Sequence, residues 1–209
     1  IALATNKLQG TFGSFTAALN FARKGMINFR EVFIGIVFTF IGACVGTVLI
    51  LFLSAEFLRV IIPFCLIAIF IYTLLMPKVG DEDRAARMNA RAFYMIFGLI
   101  LGFYDGFFGP GAGSFWTFAM VALIGLNMKK AVAHTKILNF TSNIVYLAVF
   151  IAGGQILWAV GLLMGAGQVL GAYFGSNMVM KKDVKFVRVV FLAVGGATIL
   201  KLVYDRFFA

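Results

Sequence analysis

Charge is scarce in this 209-residue chain: Asp, Glu, Lys and Arg make up 12% of it, against 62% hydrophobic residues. A soluble domain carries about 25% charged residues, so this composition excludes one. Cysteine is limited to Cys44 and Cys65, both inside apolar runs and without CxxC spacing, which excludes a disulfide framework and a zinc site and leaves them as packing residues. Proline occurs three times and histidine once, at His134. One histidine with no neighbouring carboxylate or cysteine cluster does not make a metal site, so neither a metal nor a cofactor is expected. GxSxG, HExxH, a Walker loop and paired carboxylates within an apolar element are all missing, so the chain is not expected to be an enzyme. An initiator Met, a charged leader and a cleavage site are missing too, and Ile1 opens in mid-pattern rather than as a complete N-terminus.

Apolar surface is what is there. Mean hydropathy is +1.01, and the apolar runs are long and do not alternate, which predicts an all-α polytopic membrane protein rather than a barrel. The runs cover about 8–22, 31–53, 57–76, 93–108, 112–126, 131–152, 156–180 and 186–205. A net charge of +10 raises the question of nucleic acid, but fourteen of the eighteen Lys and Arg fall in four clusters, mostly between apolar runs. That is the positive-inside pattern: it puts loops 23–30, 77–92 and 181–185 in the cytoplasm and excludes a nucleic-acid partner. Residues 77–92 are expected to form a solvated linker.

The stretch Gly102 to Phe115 interrupts the pattern with a carboxylate, Asp105, and with Gly109, Pro110, Gly111 and Gly113. Each flank falls short of the roughly 20 apolar residues that a comfortable span needs, so two short helices meeting at a glycine break are predicted. Irregular backbone at membrane depth is tolerated where it lines a cavity, and a helix starting near Ser114 would aim free amides and its positive dipole end there. A plain interfacial turn is the alternative.

Shifting the chain by 129 lays its first third on its last third without a gap. Ala2, Ala4 and Lys7 fall on Ala131, Ala133 and Lys136; Gly42 and Gly46 fall on Gly171 and Gly175. The chain thus reads as one transmembrane domain of two repeats, 1–76 and 93–209, joined by the linker 77–92. Equivalent loops carry opposite charge patterns, so the halves are expected to be inverted, an architecture suited to alternating access. The counterpart of the broken pair would lie before Ile1, which leaves roughly 37 residues of the first repeat to be supplied upstream. The glycine pairs Gly42/Gly46 and Gly171/Gly175 are assigned to close helix packing.

Matched polar clusters open an apolar element in each repeat: Thr5, Asn6, Lys7 and Gln9, and then His134, Thr135, Lys136, Asn139, Ser142 and Asn143. Positions 135, 139, 142 and 143 share one helix face. A lysine at a cavity edge needs a carboxylate, a dipole or an anionic ligand to offset desolvation; otherwise Lys7 and Lys136 snorkel to the interface as anchors. Asp105 either pairs with a lysine to hold an empty site closed, binds a coupling proton or cation, or accepts backbone amides of the break. His134 suits a hydrogen-bonding or proton-sensitive role near the site.

On Ala-Leu-Ala-Thr-Asn-Lys-Leu at 2–8, on 102–115 and on Ala-His-Thr-Lys-Ile-Leu-Asn-Phe-Thr-Ser-Asn at 133–143, the chain resembles the sulfite exporter TauE/SafE (TSUP) family. The resemblance implies an inner-membrane transporter of small sulfur-containing anions such as sulfite or organosulfonates, and an upstream glycine-rich broken segment. The expected partners are that anion, the bilayer and a further copy of the chain as a homo-oligomer. The site is expected at Asn6, Lys7, Asp105, Gly109, Gly111, Gly113, Ser114, His134, Thr135, Lys136, Asn139 and Asn143. An anion channel and a non-transporting scaffold subunit are the alternatives.

Overall fold

A computed structural model describes residues 2–52, 82–109, 111–153 and 156–183, with 185, 186, 189, 190, 193 and 197. The expected span 57–76, the loop 54–56, Cys65, Pro110 and most of 186–205 lie outside the described residues. All elements among the described residues are helices: α1 (Ala2–Arg23), α2 (Phe29–Ile50), α3 (Ala90–Phe107), α4 (Ala112–Leu123), α5 (Met128–Ala152) and α6 (Trp158–Lys181). By length and composition α2, α5 and α6 can each cross a membrane, and α4 is a shorter apolar helix.

Local chemistry sets several ends. Asn89 caps α3, its side chain accepting from the Arg91 amide at 2.9 Å, and Asn127 caps α5 by accepting from the Lys130 amide at 3.0 Å. Helix α1 starts well before the apolar run at residue 8, so the polar group Thr5-Asn6-Lys7 is helical. Helix α3 is longer than two matched half-helices would require, and α4 begins at Ala112, two residues before the expected Ser114.

Glycines let α2 and α3 touch backbone to backbone. A Cβ on Gly102 would sit 2.6 Å from the Thr39 carbonyl oxygen, and one on Gly98 would sit 2.7 Å from the Phe38 Cβ, so only glycine fits this seam. Helix α1 packs on α5 and α6, and α5 also packs on α2, α3 and α4.

Two apolar clusters result. The larger gathers Phe21, Phe93, Tyr94, Trp116, Met120 and Leu138; the smaller gathers Leu8, Ile50, Phe108, Tyr146 and Phe150. Along α3 and α5, Asp105 and Ser142 fall between members of one cluster and members of the other.

The side chains of 82–87 are exposed, as a solvated linker requires, yet the backbone here is tied down. The Arg84 amide donates to Gly125 O at 2.8 Å, and the Arg87 and Met88 amides both donate to Leu123 O. Asp83 accepts from the Asn127 amide at 2.8 Å and pairs with Lys130. The Lys130 ammonium holds the Asp83 carboxyl below its ordinary range.

Candidate functional site

A helix that stops inside a membrane protein leaves its last carbonyls without partners. Helix α3 stops at Phe107, and side chains from its neighbours complete that end. The Phe108 and Gly109 amides fold back onto Tyr104 O at 2.7 and 3.1 Å. Lys7 of α1 donates to Asp105 O at 3.0 Å, and Thr47 of α2 donates to Gly106 O at 3.2 Å. A lysine at the negative end of a helix dipole is well placed electrostatically.

Lys7 does more than cap. Its Nζ also donates to Asp105 Oδ1 at 2.8 Å, while Ser142 of α5 donates to Asp105 Oδ2. The Tyr146 ring lies beneath the ammonium at 5.3 Å from its centroid, a cation–π contact. Lys7 is 7% exposed and Asp105 4%, so this is a buried ion pair with both carboxylate oxygens engaged. Such a pair persists when hydrogen bonds offset the loss of water around both charges.

The break itself runs from Phe108 to Gly111. Gly109 has φ +85° and Gly111 φ +81°, left-handed values that L side chains rarely adopt. A Cβ at 109 would also fall 2.9 Å from Lys7 Nζ and 3.2 Å from Asp105 Oδ1, so the end of the lysine side chain would have to shift. The ammonium therefore lies directly against the break. Gly111 is the left-handed N-cap of α4, and no side chain among the described residues caps that end.

The polar residues of α5 divide between neighbours. Thr135 meets Thr117 of α4, hydroxyl to hydroxyl at 3.1 Å, and a Cβ on Gly113 would lie 3.1 Å from Asn139 Nδ2. Ser142 reaches Asp105, so three of the stripe residues face the broken pair. Asn143 turns instead to α1, donating to Ser14 Oγ at 3.3 Å. The Asn139 Oδ1 and the Tyr146 hydroxyl are buried without a hydrogen-bond partner among the described residues.

Other expected residues lie elsewhere. Asn6 is exposed and accepts from Gln9 one turn on, at 2.5 Å. Ser114 is partly buried in the first turn of α4. Lys136 is partly buried, makes no hydrogen bond or ion pair among the described residues, and stands six residues, roughly 9 Å of helix rise, from Ser142. His134 is eight residues from Ser142, or roughly 12 Å by the same rise. It accepts at Nε2 from the Asn28 amide at 3.1 Å and meets the Tyr94 hydroxyl at Nδ1, 2.6 Å away. A backbone N–H can only donate, so Nε2 is unprotonated and the neutral ring carries its proton on Nδ1, toward Tyr94. Ser142 and Tyr146 complete the Lys7 group. Ser142 was visible as part of the stripe, and Tyr146 continues it one turn further at i+4.

The family model for sulfite exporter TauE/SafE matches residues 1–202. The chain belongs to the sulfite exporter TauE/SafE family. It is 44% identical to a probable membrane transporter protein of Haemophilus influenzae, over 99% of this chain and 81% of that protein. It is 47% identical to the probable membrane transporter protein YfcA of Escherichia coli K12, over 98% of this chain and 76% of YfcA. A probable membrane transporter protein of a Sinorhizobium species is 43% identical over 97% of the chain and 78% of that protein. No solved structure matches the chain. With apolar helices of spanning length and transporters as relatives, this TauE/SafE member is a multi-pass membrane protein with a transport rather than an enzymatic role.

Proposed function

We propose that this protein is a secondary transporter, an exporter of a small sulfur-containing anion such as sulfite or an organosulfonate from the cytoplasm across the inner membrane, by alternating access between two inverted halves. The observation that carries the reading is the buried Lys7 ammonium held by Asp105 against Gly109, whose lack of a side chain leaves room for it. A tetrahedral oxyanion suits such a place: each oxygen accepts hydrogen bonds, and an ammonium and an uncapped helix start supply positive charge.

Charge balance suggests the cycle. The empty site is neutral, with one ammonium and one carboxylate. A monoanion that takes Lys7 from Asp105 would leave one uncompensated negative charge in a medium of low dielectric. A proton arriving on Asp105 cancels it, so the anion and one proton move together and the pair re-forms after release. The Tyr146 hydroxyl, without a hydrogen-bond partner among the described residues, is a further donor for the bound oxyanion.

The test is flux of labelled sulfite and short organosulfonates in proteoliposomes, with lumenal pH followed in parallel. The expected result is saturable flux of one of these anions with co-transported protons, abolished in the Lys7→Ala, Lys136→Ala protein. Flux unchanged by those two substitutions would remove the lysines from the mechanism. Conductance without saturation or proton movement would make the protein a channel.

A further inference from the structure

Helices α2 and α3 run side by side in the same direction: a Cβ on Gly98 would meet Phe38, and one on Gly106 would meet Ala43. Their first turns therefore lie together, and between them is a cavity of about 340 Å³ lined by Asn28, Arg30, Glu31, Ile34, Ala90 and Arg91. Arg91 is fourteen residues from Asp105, roughly 21 Å of helix rise, so this cavity is separate from the Lys7 group.

The charges here are not satisfied from within. Neither guanidinium makes a hydrogen bond or ion pair among the described residues, and neither does the Glu31 carboxylate. Two guanidinium groups on one cavity repel each other unless an anion lies between them, and their donor forks match phosphate oxygens. Asn28 makes no side-chain cap hydrogen bond, so the start of α2 adds its positive dipole end.

Below the charges the surface turns apolar. Phe33 and Val37 follow Arg30 at i+3 and i+7 on α2, and Met95 and Leu99 follow Arg91 at i+4 and i+8 on α3; all four are 39% to 64% exposed. Helix α2 is long and apolar enough to cross a membrane, so this strip runs down a lipid-facing side from a charged cavity at its end. A soluble phosphate would use the cavity and leave the strip idle, whereas a phospholipid uses both. Glu31 narrows the headgroup, because a purely anionic one would face a carboxylate, while an ammonium beside the phosphate offsets it.

We propose that this cavity is a phospholipid site, with the phosphate between Arg30 and Arg91 and a headgroup ammonium on Glu31, the chemistry of phosphatidylethanolamine. The lipid straps the starts of α2 and α3 together, and its acyl chains lie along the apolar strip. This site stands whatever the cargo is.

The test is the unfolding midpoint of the full-length protein in mild detergent, with phosphatidylethanolamine, phosphatidylglycerol or soluble glycerophosphoethanolamine added. Phosphatidylethanolamine should raise the midpoint most, and the soluble compound, with no chains to bury, should leave it unchanged. Arg30→Ala with Arg91→Ala should remove the rise, whereas Lys181→Ala, an exposed cation on α6 outside the cavity, should keep it. Glu31→Gln leaves both arginines in place and should make phosphatidylglycerol at least as effective as phosphatidylethanolamine. A rise that survives in the double-arginine protein, equal rises with the two lipids in wild type, or a lipid preference unmoved by Glu31→Gln would overturn the proposal. A full rise with glycerophosphoethanolamine alone would overturn it too, by making the ligand a soluble phosphate ester.

Discussion

Two polar groups on α5 sit about two turns apart and differ in kind. Around Ser142 the partners are charged: Lys7 and Asp105, buried against a glycine break. Around His134 they are neutral: a backbone amide, an imidazole and a phenol closing the α1–α2 turn onto α3 and α5. The neutral group gains stability from fixed hydrogen bonds and has no net charge for an ion to disturb. The charged group is held by an interaction that an ionic ligand can compete for. The proposed transport site is therefore the charged group, where a partner can be replaced, and not the equally buried neutral one.

Breaking the charged group should have the larger effect. Lys7→Ala strands the Asp105 carboxylate and should cost about 3–5 kcal/mol, read as a lowered unfolding midpoint in detergent. Adding Asp105→Ala should recover most of that, because no lone charge is left. At the neutral group, His134→Ala leaves the Asn28 amide and Tyr94 hydroxyl without partners, a cost of about 1–3 kcal/mol. The apparent KM for the anion should stay at its wild-type value there, and a large KM change would erase the distinction between the two groups.

Gly109→Ala sharpens the comparison, since it keeps every charge but crowds them. Left-handed backbone costs about 1–2 kcal/mol in a residue with a Cβ, and that Cβ would push on Lys7 Nζ. A raised KM with a modest loss of stability is expected. Asp83→Asn, on the exposed linker, should be smallest, about 0.2–1 kcal/mol and weaker at high salt. Because Lys130 lowers the Asp83 carboxyl in the folded protein, the contribution is present above the unfolded pKa and lost as pH falls through the folded value. A pH scan of the unfolding midpoint should show wild type and Asp83→Asn converging at the acid end.

Much of this was legible in the residues. Apolar runs located the six helices, and glycine density located the break, because glycine is needed both for left-handed turns and for the α2–α3 seam. Asp105 stood out as the carboxylate at the break, and Lys7 as a lysine opening an apolar helix; pairing the two was one of the open readings. The position of His134 was not legible, since proximity in sequence to Lys136 says nothing about which neighbour each side chain faces. About two turns of helix separate Ser142 from His134, enough rise to place them in different environments. Docking of the linker onto Leu123 and Gly125 was hidden as well, because it uses backbone amides, which every sequence has.

The most direct test of the central claim is anion flux through the Lys7→Ala, Asp105→Ala protein in proteoliposomes, after its folding has been verified by its unfolding midpoint. A stable protein with flux at the protein-free background is predicted. Wild-type flux from that same stable protein would show that the ion pair is scaffolding and that the anion passes elsewhere.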